Sequence, residues 1–131
     1  MDRLAVSAAG APAAIGPYSH GILAGDTLYV SGQLGIDPES GALEETLQGQ
    51  TERALKNVGS ILAASGMTLA NVVKTTVFIT DMSQFGTVNE IYGRVFETAA
   101  AEKEGFPARS CVQVAELPKG AQVEIEVIAV K

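Results

Sequence analysis

Residues 106–130 read FPARSCVQVAELPKGAQVEIEVIAV, two extended runs on either side of a Leu117-Pro118-Lys119-Gly120 turn. Alternate side chains of a strand share a face, so Arg109, Cys111 and Gln113 point one way and Val112 and Val114 the other. Beyond the turn, Val123, Ile125 and Val127 form one face and Glu124 and Glu126 the opposite one. Paired as a hairpin with matched apolar faces, the two runs would hold a cation and a carboxylate on the polar side of one sheet. A small anionic substrate would meet an acid/base group there.

Working back toward the N-terminus, Val72 to Thr80 (VVKTTVFIT) is a β-branched run in which Val73, Thr75, Val77 and Ile79 alternate with Val72, Lys74, Thr76 and Phe78. Both sets are substantially apolar, which predicts a central strand with helices on one side and another sheet or subunit on the other. Two amphipathic helices flank it. From Leu43 to Ser65 an apolar stripe recurs at Leu47, Ala54, Leu55, Val58, Ile61 and Leu62, with Gly66 as the stop. After Asp81 or Ser83 as cap, the second stripe is Val88, Ile91, Tyr92, Val95, Phe96 and Ala99. Upstream, Gly21–Ala24 and Thr27–Ser31 are short strands around a Gly25-Asp26 turn, and Gly32 and Gly35 allow close backbone approach at the strand end. IDPESGAL then reads as a polar surface loop. With a further short strand near Leu4–Val6, the order is strand, strand, strand, helix, strand, helix, strand, strand. This is an α+β fold, one sheet packed by two helices, in a single domain over residues 1–131.

Composition bounds the function. A chain of 131 residues, 47% hydrophobic, can bury a real core, and its mean hydropathy of +0.21 predicts apolar surface shared with sister chains in a homo-oligomer. A formal charge of -6 argues against a broad phosphate-binding face and hence against nucleic acid as the principal ligand. One cysteine excludes an internal disulfide framework, and with a single histidine it makes a zinc centre a poor expectation. No secretory leader and no apolar run of membrane-spanning length is legible, so the expectation is a cytoplasmic protein away from membranes. GPYSHG and SGQLG lack the spacing of a dinucleotide or phosphate loop, so no cofactor is implied.

Each candidate residue has two readings. Arg109 is either a salt-bridge partner at the surface or an interface, or a guanidinium fork for both oxygens of a carboxylate. Glu124 is either solvated or placed in a cleft to orient water or shuttle a proton, and the sequence does not rank it against Glu126. Cys111 reads as a buried small hydrophobe or a pocket wall rather than a nucleophile, because no Cys/His/acid pattern accompanies it. Tyr18 either pins the Ala/Gly/Pro-rich N-terminal arm or presents its hydroxyl at a pocket rim. Ser31, next to Gly32, caps a turn or donates to substrate. Asn89 caps local backbone or anchors a polar ligand group on the same helix face as Tyr92. His20 reads as a turn residue with one hydrogen bond or as a substrate contact, without a catalytic role. Met67 and Met82 read as core filling.

Taken together, APAAIGPYSHG, YVSGQLG, NVVKTTVFITDM, FGTVNEIY and the 106–130 block resemble the Rid family of reactive intermediate deaminases over nearly the whole chain. The PARSC arginine points to the enamine/imine deaminase subgroup. The local departure is His20, where other polar residues are common. The resemblance implies a chorismate-mutase-like subunit with a mixed, mostly antiparallel sheet, assembled as a homotrimer with inter-subunit clefts. By similarity, Arg109 would bind the substrate carboxylate and Glu124 would position or activate water. Cys111, Ser31 and Gly32 would shape the site, and Tyr18 and Asn89 match further pocket positions. The implied substrates are small anionic imino and enamino acids, 2-iminobutanoate and 2-iminopropanoate, supplied by pyridoxal-phosphate dehydratases and hydrolysed to 2-oxo acids and ammonia. The same resemblance carries two other readings, an endoribonuclease or translation inhibitor using a patch at Arg53, Lys56 or Arg94, and a non-catalytic ligand-binding or chaperone-like trimer.

Overall fold

The computed structural model describes residues 2–131. Six strands form one mixed sheet: β1 (Arg3–Val6), β2 (Gly21–Ala24), β3 (Thr27–Leu34), β4 (Val72–Ile79), β5 (Ala108–Gln113) and β6 (Val123–Val130). Two helices, α1 (Leu47–Ala64) and α2 (Phe85–Glu102), pack side by side on one face. This is the expected α+β layering, with the short strand near the N-terminus present.

The strand order is β1-β2-β3-β6-β4-β5. The two C-terminal runs therefore do not pair as a hairpin. β4 lies between them, antiparallel to β6 and parallel to β5. The reason is apolar matching. β4 carries apolar residues on both faces, and a place between the two runs pairs it with β6 along one edge and β5 along the other. β5 is left as an edge.

Inward-facing Val77, Ile79, Val123 and Ile125 meet Leu55, Val58, Ile61 and Leu62 of α1 and Phe96 of α2, all nearly or fully buried. Each such side chain contributes about 1.5–3 kcal/mol of burial. Met67 is in this core as expected, whereas Met82 is exposed on the short turn before α2. Helix α1 starts four residues later than its periodicity suggests, because Leu43 bridges Ile36 and Thr46 supplies the cap, accepting from the Gly49 amide at 3.0 Å. Gly66, at φ +71, ends it as anticipated.

Two bulges decide which residues face where. In β3, Val30 opposes Val127 and Gln33 opposes Ile125, so Ser31 and Gly32 together stand against Glu126. The buried Gln33 amide donates to the Ser31 and Gly32 carbonyls and holds the bulge. In β4 the register slips at Val73, which turns outward, so the inward set is Val72, Thr75, Val77 and Ile79, with Val72 in place of Val73 at the start of the alternation. The face away from the helices carries Tyr29, Ile128, Phe78 and Val112 and is open. Among the described residues, no helix is long and apolar enough to cross a membrane.

Candidate active site in two halves

Arg109 and Glu124 are not on the same side of the sheet. Arg109 is level with Thr75 of β4, whose buried hydroxyl is 2.7 Å from the Tyr92 hydroxyl on α2, so the arginine lies on the helix face. Glu124 is level with Phe78 and Leu34 and lies on the open face, while its neighbours Val123 and Ile125 enter the core. The polar cation–carboxylate surface expected from a hairpin does not form within one chain. Inserting β4 separates the two strands, and the core alternation of β6 turns its carboxylates away from the helices.

The first half is built at the β5–α2 edge. The Arg109 Nη1 donates to Asn89 Oδ1 at 2.6 Å. Its guanidinium carbon lies 4.8 Å from the Tyr92 ring centroid and 5.3 Å from that of Phe85. Stacking and the amide together hold the fork in one orientation at little entropic cost on binding. Among the described residues no carboxylate pairs with it, which removes the salt-bridge reading within the chain. Cys111 lies level with Val77 on the same face, half-buried against the core; burial pushes its thiol up despite the nearby Arg109 charge. A half-buried thiol held in its neutral form fits a wall better than a nucleophile. Burial likewise raises the Tyr92 phenol. Asn89 and Tyr92, expected on one helix face, both meet the Arg109 guanidinium. Phe85 was missed, although it lies one helical turn before Asn89.

The second half is a groove of about 710 Å³ on the open face, lined by Tyr18, Ser31, Gly32, Glu124 and Glu126, the arm residues Pro12, Ala13 and Ile15, and the Pro118-Lys119 turn. Residues 36–41 complete it, so IDPESGAL is a pocket wall anchored by buried Ile36 rather than a plain surface loop. Asn57, buried in α1, donates to the Leu34 and Ile36 carbonyls at 3.1 and 3.0 Å and fixes that wall. The two glutamates now separate. Glu126 is exposed, while Glu124 lies half-buried over Gly32, where a β-carbon would come within 2.8 Å of its carboxyl carbon. Burial, and then the charge of Glu126, raise the Glu124 carboxyl above its ordinary range. A carboxyl shifted this way holds a proton more readily than an ordinary surface carboxylate.

Ser31 Oγ donates to the Ser19 carbonyl at 2.6 Å, which leaves the hydroxyl oxygen to accept from a ligand or water. Tyr18 is half-exposed at the rim. His20 makes two hydrogen bonds rather than the single one expected. Its Nδ1 accepts from the Ala8 amide at 3.0 Å, and its Nε2 donates to the Pro12 carbonyl at 2.7 Å. It is buried and does not line the groove. Tyr18, Ser31, Gly32 and Glu124 thus form one group, and Arg109, Asn89 and Cys111 another.

A family model described as Endoribonuclease L-PSP matches residues 8–131. The chain is 49% identical to the 2-iminobutanoate/2-iminopropanoate deaminase of Homo sapiens, an alignment covering 100% of this chain and 92% of that one. It is 47% identical to the protein of the same name from Salmonella typhimurium, with 92% of each covered. The crystal structure of Escherichia coli TdcF with bound serine superimposes with a TM-score of 0.90 at 41% identity, covering 98% of both chains. Such a match extends over the arm, both halves of the site and the whole sheet, and the chain belongs to the Rid, or L-PSP, family.

Proposed function

We infer that the protein is a hydrolase that deaminates small 2-imino acids and their enamine tautomers, 2-iminobutanoate and 2-iminopropanoate, to 2-oxo acids and ammonia. The observation that carries this reading is the Arg109 guanidinium, pre-oriented by Asn89, Phe85 and Tyr92 and without a carboxylate partner among the described residues. It is a receptor for a small carboxylate. Support also comes from the full-length likeness to proteins named for this reaction.

The active site is composite. Arg109 and Glu124 lie on opposite faces of one sheet with β4 between their strands. The open face carries exposed Tyr29 and Val112, apolar surface suited to burial against a copy. A homotrimer then brings the Arg109, Asn89 and Cys111 edge of one subunit to the Tyr18, Ser31, Gly32 and Glu124 groove of its neighbour. The guanidinium takes the substrate carboxylate, and the carboxylates of the groove face the protonated imine nitrogen. Water positioned by Glu124 adds to the imine carbon and gives up a proton to the carboxylate, forming a carbinolamine. Glu124 returns that proton to the amine and then takes the carbinolamine hydroxyl proton as the C–N bond breaks, so that ammonia leaves and the carbonyl forms. The substrate must come from an elimination that generates enamines, the chemistry of pyridoxal-phosphate dehydratases acting on serine or threonine.

The ribonuclease reading finds two of the three cations of its patch already paired with carboxylates. Arg53 pairs with Asp37 and Glu44, and Arg94 pairs with Glu52. The test is imine decay, with 2-iminobutanoate generated from threonine by its dehydratase and followed with ammonia and 2-oxobutanoate. Arg109→Ala and Glu124→Gln should each abolish most acceleration. Co-assembled in equal amounts, the two variants should recover about a quarter of wild-type activity, since random mixing rebuilds one cleft in about four. A mixture as inactive as its components would refute the shared cleft, and wild-type decay equal to the buffer blank would refute the deaminase.

A further inference from the structure

We propose that His20 is a positioning residue that latches the N-terminal arm and so sets the wall of the substrate groove. The inference rests on the deaminase reading and extends it to a residue outside the groove. The imidazole spans the two ends of the Ala8–Pro12 turn, with the Ala8 amide donating to Nδ1 and Nε2 donating to the Pro12 carbonyl. An amide N–H only donates and a carbonyl only accepts, so both bonds require the tautomer with hydrogen on Nε2. The ring is 7% exposed, so neither backbone group has water as a ready substitute.

The backbone of His20 ties this latch to the other side of the groove. Its carbonyl accepts from the Ser31 amide at 2.9 Å, and the preceding Ser19 carbonyl accepts from Ser31 Oγ. Between the Pro12 and Ser19 anchors runs Ala13–Tyr18, exposed throughout, with Ile15 72% exposed. A segment with so little burial takes its position from its end anchors. It carries Ala13, Ile15 and Tyr18 to the groove opposite Glu124. Loss of the latch therefore loosens substrate contacts while leaving Glu124 and the bulge in place, a binding defect more than a chemical one.

The experiment compares His20→Leu, which removes both bonds, with His20→Gln, whose single amide supplies an acceptor and a donor at a spacing close to that of the two ring nitrogens. Hydrogen exchange at the Ala8 amide is read without substrate, and KM and kcat are read with 2-iminobutanoate. The Leu variant should exchange at Ala8 at least about tenfold faster and raise KM about tenfold, with kcat within about twofold. The Gln variant should restore both. Wild-type exchange or wild-type KM in the Leu variant overturns the proposal, as does a fall in kcat that Gln does not rescue. If the Leu variant fails to fold, His20→Asn, too short to reach both partners, is held to the same criteria. Wild-type protein that does not accelerate imine decay refutes the underlying deaminase reading and the substrate-site role of His20 together; the exchange comparison still shows whether the arm is latched.

Discussion

Replacing Gly32 by Ala separates the chemistry of the groove from the stability of the fold. Gly32 is not among the glycines with positive φ, so its backbone accepts an alanine without strain. The new β-carbon, however, would lie 2.8 Å from Glu124 Cδ and 3.1 Å from Cγ and Oε2. Restoring a 3.4 Å contact moves the carboxyl carbon by at least about 0.6 Å. The atoms in the way belong to the end of a flexible side chain, so the carboxylate swings and the sheet does not. Misplacing a catalytic group by about 1 Å costs roughly a hundredfold in rate, about 2.7 kcal/mol of barrier. Stability should change by less than about 1 kcal/mol, and the reduced freedom of the unfolded chain even favours alanine. The assay is kcat and KM for 2-iminobutanoate beside a thermal melt. A Gly32→Ala protein with wild-type kcat would refute the placement of the water-activating carboxylate over the bulge.

Glu124→Gln should stabilise the protein at neutral pH while abolishing turnover. The folded pKa is raised by burial and by Glu126, so the charged carboxylate is penalised above that value. The penalty fades as pH falls through the folded pKa and is gone below the ordinary carboxylate range. The gain in melting temperature should therefore be present at pH 7.5 and vanish near pH 3.5; a wild type more stable than the variant at pH 7.5 would contradict the buried placement. Gly35→Ala is the counterpart of Gly32→Ala. A β-carbon at position 35 would collide with the backbone of Gln50 in α1, where no side chain can yield. It should cost about 1–3 kcal/mol or more through overpacking, seen as a lowered denaturant midpoint. An unchanged midpoint would mean that the helix rides farther from the sheet than the structure has it.

The linear order of residues was enough to determine which segments become strands and helices. Alternation in Val123–Val130 and the apolar stripes of α1 and α2 arise from local periodicity, which one segment expresses by itself. The 106–130 block and its companions also nominated Arg109, Glu124, Ser31, Gly32, Tyr18, Asn89 and Cys111 as candidates. Tertiary structure decided how those residues group. Strand order depends on which distant runs bury each other best, and the choice of β4 as the middle strand turned an expected hairpin into two separated halves. The bulge at Ser31–Gly32 depends on register against β6, and a slip by one residue exchanges the faces of a strand, which no local pattern at YVSGQLG encodes. His20 took its place for the same reason. Its two partners, Ala8 and Pro12, come within reach only after the arm has folded back onto the sheet.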